Sequence, residues 1–145
     1  MMASMPFELL YVDDNPGDIE LFHEAVAGSN CHLQIAHCGQ SALDILYHRG
    51  VHAHVPRPHL MVMDWNMPGL HGAELLQQIK SCPALCDIPT IVFSSSQSPR
   101  DVQASYDCRA NAYIVKPVDL DQFLSVVRRM VEFWRRVTRP YTINS

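Results

Sequence analysis

Apolar residues along the chain fall into two kinds of run that alternate. Compact blocks occur at Glu8 to Val12 (ELLYV), Leu33 to His37 (LQIAH), Leu60 to Met63 (LMVM), Thr90 to Ser94 (TIVFS) and Ala112 to Val115 (AYIV). Blocks this short, bounded by turn residues, predict β-strands. Between them apolar positions recur every three or four residues: Ile19, Phe22 and Val26; Ala42, Ile45 and Leu46; Leu75, Leu76 and Ile79; and Phe123, Val126, Val127, Met130, Val131 and Trp134. That spacing puts one apolar stripe on each of four helices. Pro99 to Asp107 is polar but helical in spacing and makes a fifth.

The punctuation agrees. Asn15-Pro16-Gly17-Asp18 reads as a cap, a first-position proline and a first-turn acid, and Gly28-Ser29-Asn30 ends that helix. Ser41 is expected to open the second helix, and Leu120 stands near the start of the last. HRGVHAHVPRPH, His48 to His59, is a loop. Fully apolar strands such as MVM and TIVF are buried on both faces, which marks a parallel sheet covered by helices. Right-handed crossovers then give a doubly wound α/β fold with five strands and five helices.

Composition narrows the partners. At 145 residues, 48% hydrophobic and 18% charged, the chain has material for one core. Its domain is expected over residues 8–137, after an extension at 1–7 and before a tail at 138–145. A net charge of -4 argues against a nucleic-acid surface. Arg128, Arg129, Arg135, Arg136 and Arg139 are spread along a helix among acids and read as a solvated face. Five cysteines, with no CxxC pair and no leader-like start, are expected to be free thiols of a cytoplasmic protein. The loop histidines His48, His52, His54 and His59 have no regular element to fix a metal geometry and are expected to be solvated.

Chemistry gathers at the strand ends. The first strand stops at Asp13-Asp14, the third at Asp64, the fourth at Ser94-Ser95-Ser96 and the fifth at Lys116. In a doubly wound sheet these ends border the crevice where ligands bind. Clustered carboxylates cannot all stay ionised without compensation, and such oxygen donors suit Mg²⁺. A carboxylate nucleophile, a divalent cation, a hydroxyl and an amine are the parts that phosphoryl transfer needs.

Taken together, DD near the start, MDWNMPGLHG in the middle and SS…YIVKP near the end resemble the receiver domain of two-component response regulators. The resemblance runs from about Glu8 to Val137. It implies a flavodoxin-like strand order 2-1-3-4-5 and a phosphoryl group accepted by Asp64 from a sensor histidine kinase. It further implies Mg²⁺ held by Asp14, by Asp13 directly or through water, by Asp64 and by the Asn66 backbone carbonyl. Lys116 would pair with the phosphoryl group, with Lys116-Pro117 cis. Ser94, 22 residues before Lys116, would be the switch hydroxyl and Tyr113 the aromatic that follows it. Asn66 and Ser96 would tune the lifetime of the acyl phosphate. Arg109 stands where many members have glycine, which raises a steric question if that residue needs a positive φ.

Phe133, Trp134 and Val137 extend the last stripe, followed by Pro140 and Tyr141. With Tyr113 they suggest a partner face, including a homodimer, and similar ends occur in receivers that accompany phytochrome-type kinases. Trp65 is expected to be a partly exposed loop aromatic. The function expected is a stand-alone phospho-accepting switch, not an enzyme, acting through a partner protein or as a phosphate sink. Two alternatives remain at this point. One is a scaffold that is never phosphorylated. The other is a Mg²⁺-dependent hydrolase with an aspartyl nucleophile, disfavoured because Asn66 stands where such enzymes need an acid.

Overall fold

The computed structural model describes residues 5–138. Five parallel strands, β1 (Phe7–Val12), β2 (Cys31–Ala36), β3 (Leu60–Met63), β4 (Thr90–Ser94) and β5 (Ala112–Val115), form one sheet in the order β2-β1-β3-β4-β5. Five helices alternate with them: α1 (Pro16–Val26), α2 (Gly39–Leu46), α3 (Gly72–Ser81), α4 (Pro99–Asp107) and α5 (Leu120–Val137). This is the doubly wound architecture that the hydrophobic pattern predicts, in the flavodoxin-like strand order that the resemblance implies.

The sheet is buried on both faces because side chains alternate along each strand. Leu9 and Tyr11 of β1 point into a layer shared with Phe22 of α1 and with Phe123, Val127 and Val131 of α5. Leu10 and Val12 point the other way, against Ala42 and Ile45 of α2 and Leu75, Leu76 and Ile79 of α3. Each of the fully buried leucines and isoleucines contributes about 1.5–3 kcal/mol relative to exposure. Ala104 and Cys108 carry the polar α4 against the same layer as α2 and α3.

Local chemistry sets the helix starts. Asn15 Oδ1 accepts from the Asp18 N–H at 3.0 Å and Pro16 is the first helical residue, as the sequence indicates. Helix α2 begins at Gly39, two residues before the Ser41 expected to open it, because Cys38 takes the cap position and its Sγ accepts from the Ser41 N–H at 3.5 Å. Asp119 caps α5 by accepting from the Gln122 N–H at 2.9 Å.

The loop after α4 answers the question posed by Arg109. Its φ is 71°, the left-handed region that glycine adopts freely. In return the guanidinium donates from Nη2 to the Lys80 carbonyl at 2.7 Å, tying the end of α4 to the end of α3. Lys80 itself is buried and donates to the carbonyls of Cys86 and Ile88 and to Asn111 Oδ1. Burial pushes its pKa down.

The five cysteines are free thiols. Within the histidine loop, Gly50–His52 forms one 3₁₀ turn. His59 is not merely solvated: its Nδ1 accepts from the Glu8 N–H at 3.0 Å and its ring stacks on Phe7, joining the loop to the start of β1. Among the described residues, no helix is long and apolar enough to cross a membrane. Arg139, Pro140 and Tyr141 lie outside the described residues.

Candidate functional site

The chain leaves β1 in one direction through α1 to β2, and β3 lies on the other side of β1. A crevice therefore opens at the carboxyl ends of β1 and β3. Backbone pairing continues one residue past each strand: the Asp13 N–H donates to the Ala36 carbonyl at 3.0 Å and the Asp64 N–H to the Val12 carbonyl at 2.9 Å. That extension fixes both acids at the crevice floor. Asp13, Asp14 and Asp64 each offer a carboxylate oxygen, and these atoms lie within 4.8 Å of one another.

Lys116, directly after β5, reaches over to the same point. Its backbone N–H donates to the Ser94 carbonyl at 2.8 Å, and its Nζ donates to Asp13 Oδ2 at 2.8 Å, Asp18 Oδ2 at 2.8 Å and Asp64 Oδ2 at 3.4 Å. The buried Asp13 has further partners: the Tyr11 hydroxyl donates to Oδ2 at 2.5 Å and the Asn15 N–H to Oδ1 at 3.0 Å. Burial works against the Lys116 charge, but the bonds to Asp13 and Asp18 outweigh it and hold its pKa above the usual lysine range. Burial, then the charge of Asp13, keeps Tyr11 a neutral donor by raising its pKa.

Asp64 is held differently. Its Oδ1 accepts from the Trp65 N–H at 2.7 Å. Its pKa is raised: burial is the main cause and Asp13 adds to it, while Lys116 and the Trp65 N–H oppose them. A carboxylate with a folded pKa above its unfolded one costs stability as pH rises through that folded value. Asp64→Asn is therefore expected to unfold at a higher temperature than the unaltered chain at pH 7.5 without metal. The gap should close as pH falls to 4, measured by thermal melts followed by circular dichroism.

Trp65 is buried, at 2% exposure, rather than partly exposed as the loop position suggested. The reason is Gly72. A Cβ on that residue would lie 2.7 Å from the Trp65 carbonyl oxygen, so the start of α3 approaches Trp65 only with glycine there. His71 then packs edge-on against the indole at 5.3 Å between ring centroids, and its Nδ1 caps α3 by accepting from the Ala73 N–H at 3.0 Å. Gly72→Ala is expected to lower stability by about 1–3 kcal/mol, the usual range for overpacking, in urea unfolding.

The remaining residues singled out by sequence sit around this centre but do not all face it. Ser94 is buried, and its Oγ accepts from the Ser96 N–H at 3.2 Å. The Ser96 hydroxyl donates to Asp101 at 2.6 Å rather than to an acid of the crevice, and the Tyr113 hydroxyl donates to the Ser96 carbonyl at 2.7 Å. Asn66 is exposed, with Oδ1 3.4 Å from His71 Nε2. Lys116–Pro117 is trans, not cis as the resemblance implied; trans is the lower-energy isomer of such a bond.

Two residues at the centre escaped the sequence reading. Asp18 looked like ordinary first-turn chemistry, since an acid there already suits the helix dipole. Tyr11 looked like a strand aromatic. Its signal was its place two residues before Asp13, on the same face of the strand, where a phenol can meet the carboxylate.

Residues 9–128 match the response regulator receiver domain family. The chain belongs to that family. Response regulator Rcp1 of Synechocystis sp. is 34% identical over 141 residues, spanning 95% of this chain and 96% of that protein. Among solved structures, the phosphorylated cyanobacterial phytochrome response regulator RcpA superposes with a TM-score of 0.88 at 35% identity, covering 92% of this chain and 97% of that one. The Mn²⁺-bound form of Rcp1 gives a TM-score of 0.87 at 32% identity, covering 94% of this chain and all of that one at 100%. Receivers of this kind are signalling proteins that bind Mg²⁺ or Mn²⁺ in an acidic pocket, and this receiver has an acidic cluster at its strand ends.

Proposed function

We propose that this receiver is a phosphorylation switch in which Asp64 takes a phosphoryl group from a phosphohistidine of a sensor kinase. The observation that carries this is the meeting of Asp13, Asp14, Asp64 and Lys116 at one point of the crevice. An Asp64 carboxylate oxygen attacks phosphorus, the P–O bond forms and the P–N bond to the imidazole breaks. The donor set fits Mg²⁺: Asp14 and Asp64 would hold it, Asp13 would do so directly or through water, and the Asn66 carbonyl would complete the protein ligands. When bound, the ion offsets charge on the phosphoryl oxygens.

Lys116 neutralises a further phosphoryl oxygen. Ser94 is the hydroxyl that turns toward the phosphoryl group, giving up its bond from the Ser96 N–H. Tyr113, tied to the Ser96 carbonyl, follows that movement and changes the face it borders. Asn66 and Ser96 modulate the lifetime of the acyl phosphate. The kinase is of the phytochrome type, a reading supported by the likeness to RcpA, and output passes to a partner protein, with a phosphate sink as the other use. Phe133 and Val137 are 58% and 51% exposed on α5, which supports self-association through that helix and the Tyr113 face.

The alternative of an aspartyl-nucleophile hydrolase finds no support in Asn66, an amide without a proton to give a leaving group. A scaffold that is never phosphorylated would have no use for an ammonium shared among three carboxylates. Incubation with acetyl phosphate separates the readings. A single phosphoryl adduct in the intact mass, formed with Mg²⁺ and absent with excess chelator, is the expected result. An adduct that forms equally well without divalent cation would overturn the assignment.

A further inference from the structure

The Lys116 ammonium has three protons to donate, and all three are directed at carboxylates. The distances are unequal: 2.8 Å to Asp13, 2.8 Å to Asp18 and 3.4 Å to Asp64. The amine thus lies nearer to two acids beside the reactive carboxylate than to that carboxylate itself. Asp18 does not owe its place to the amine. Its backbone N–H is held by the Asn15 cap, so the first turn of α1 delivers the carboxylate to Lys116.

For Lys116 to bind a phosphoryl group on Asp64, it must turn further toward Asp64. The bond to Asp13 is poorly placed to yield, because the Asp13 side chain is 0% exposed and would lose its cationic partner away from water. The Asp18 side chain is 24% exposed, so water can take the place of the amine there. Asp18 is the partner that yields.

We propose that Asp18 is a positioning residue that competes with the phosphoryl group on Asp64 for Lys116, and so sets how tightly the site holds that group. This rests on the reading of Asp64 as phosphoacceptor. Asp18→Asn keeps the backbone bond to the Asn15 cap and nearly the same volume, but removes the charge that draws the amine away.

The test is a titration with beryllofluoride, a phosphoryl mimic, in the presence of Mg²⁺, followed by the fluorine NMR signal of the bound mimic, which reads occupancy whether or not the chain switches. Asp18→Asn is expected to tighten the complex by roughly fivefold, the upper range for a partly exposed ion pair. Glu20→Gln, which removes an exposed acid from the same helix, is expected to leave the affinity unchanged. In a Lys116→Met background, Asp18→Asn is expected to have no effect, a pattern that loosening of α1 would not produce.

Unchanged or weaker binding in Asp18→Asn overturns the proposal. So does equal tightening in Glu20→Gln, or tightening that persists without Lys116, since charge removal alone then accounts for it. If the unaltered chain forms no complex at all, the phosphoacceptor reading falls and this proposal with it. If the unaltered chain binds and Asp18→Asn binds no better, only this proposal falls.

Discussion

Asp64→Ala is expected to gain no phosphoryl group under conditions in which the unaltered chain gains one, a loss of more than about 100-fold in the rate of uptake. Nearby carboxylates do not replace it. Asp13 is buried, and its oxygens already accept from Tyr11, Asn15 and Lys116. Asp14 is exposed, beside the crevice rather than at its floor. Asp64 combines a half-buried place with reach to Lys116 and to both other acids, and burial raises its pKa above the ordinary carboxylate value. Intact mass after acetyl phosphate and Mg²⁺ reads the outcome. Uptake by Asp64→Ala at the same stoichiometry would assign the chemistry elsewhere.

Lys116→Ala is expected to leave a folded receiver that does not switch. The cost to the fold is about 2–4 kcal/mol at neutral pH, somewhat below the full penalty for breaking a buried ion pair, because Asp18 and Asp64 retain some contact with water. The sign of the pH dependence follows from the pKa shifts. The Lys116 pKa is raised, so its contribution is fully present below the ordinary lysine pKa and is lost only as pH rises through the still higher folded value. Across pH 6 to 9 the amine therefore contributes steadily. As pH falls toward 4, Asp64, whose pKa burial raises, takes up a proton and the deficit of the variant shrinks. Mg²⁺ should stabilise Lys116→Ala more than the unaltered chain, since it alone then offsets the acids. Urea unfolding at pH 5 and pH 7.5, with and without Mg²⁺, checks both statements. The failure to switch appears as loss of the tryptophan response to beryllofluoride.

The fold was legible because its strands are pure. LMVM, TIVFS and AYIV are strands in the structure over the residues that the pattern gives them, and Pro99 and Leu120 begin α4 and α5 as expected. β1 and β2 were read less well at their amino ends, where Phe7 and Cys31 pair with each other through a ladder that no single-strand pattern reveals. Cys38 as a cap was invisible for a similar reason, since a thiol is a weak acceptor and an uncommon one at that position.

The centre of the site was legible in Asp13, Asp14, Asp64 and Lys116, which stand at the carboxyl ends of three strands that border one crevice. What the sequence concealed is how their valences are shared. Asp18 and Tyr11 enter through side-chain direction, which depends on helix rotation and strand register rather than on spacing. The burial of Trp65 depended on Gly72 admitting a backbone approach, again a three-dimensional fact. Arg109 shows the converse: a residue at odds with local preference is retained where a long-range bond, here to the Lys80 carbonyl, offsets it.

An acyl phosphate on Asp64 can be located by reduction with borohydride. Acyl phosphates are reduced by borohydride, which turns the modified aspartate into homoserine. The chain would be treated with acetyl phosphate and Mg²⁺, reduced, digested and mapped by peptide mass. Homoserine at position 64 and nowhere else is the predicted result. Homoserine at position 13 or 14, or a phosphoryl group found on one of the eight histidines with position 64 untouched, would contradict it.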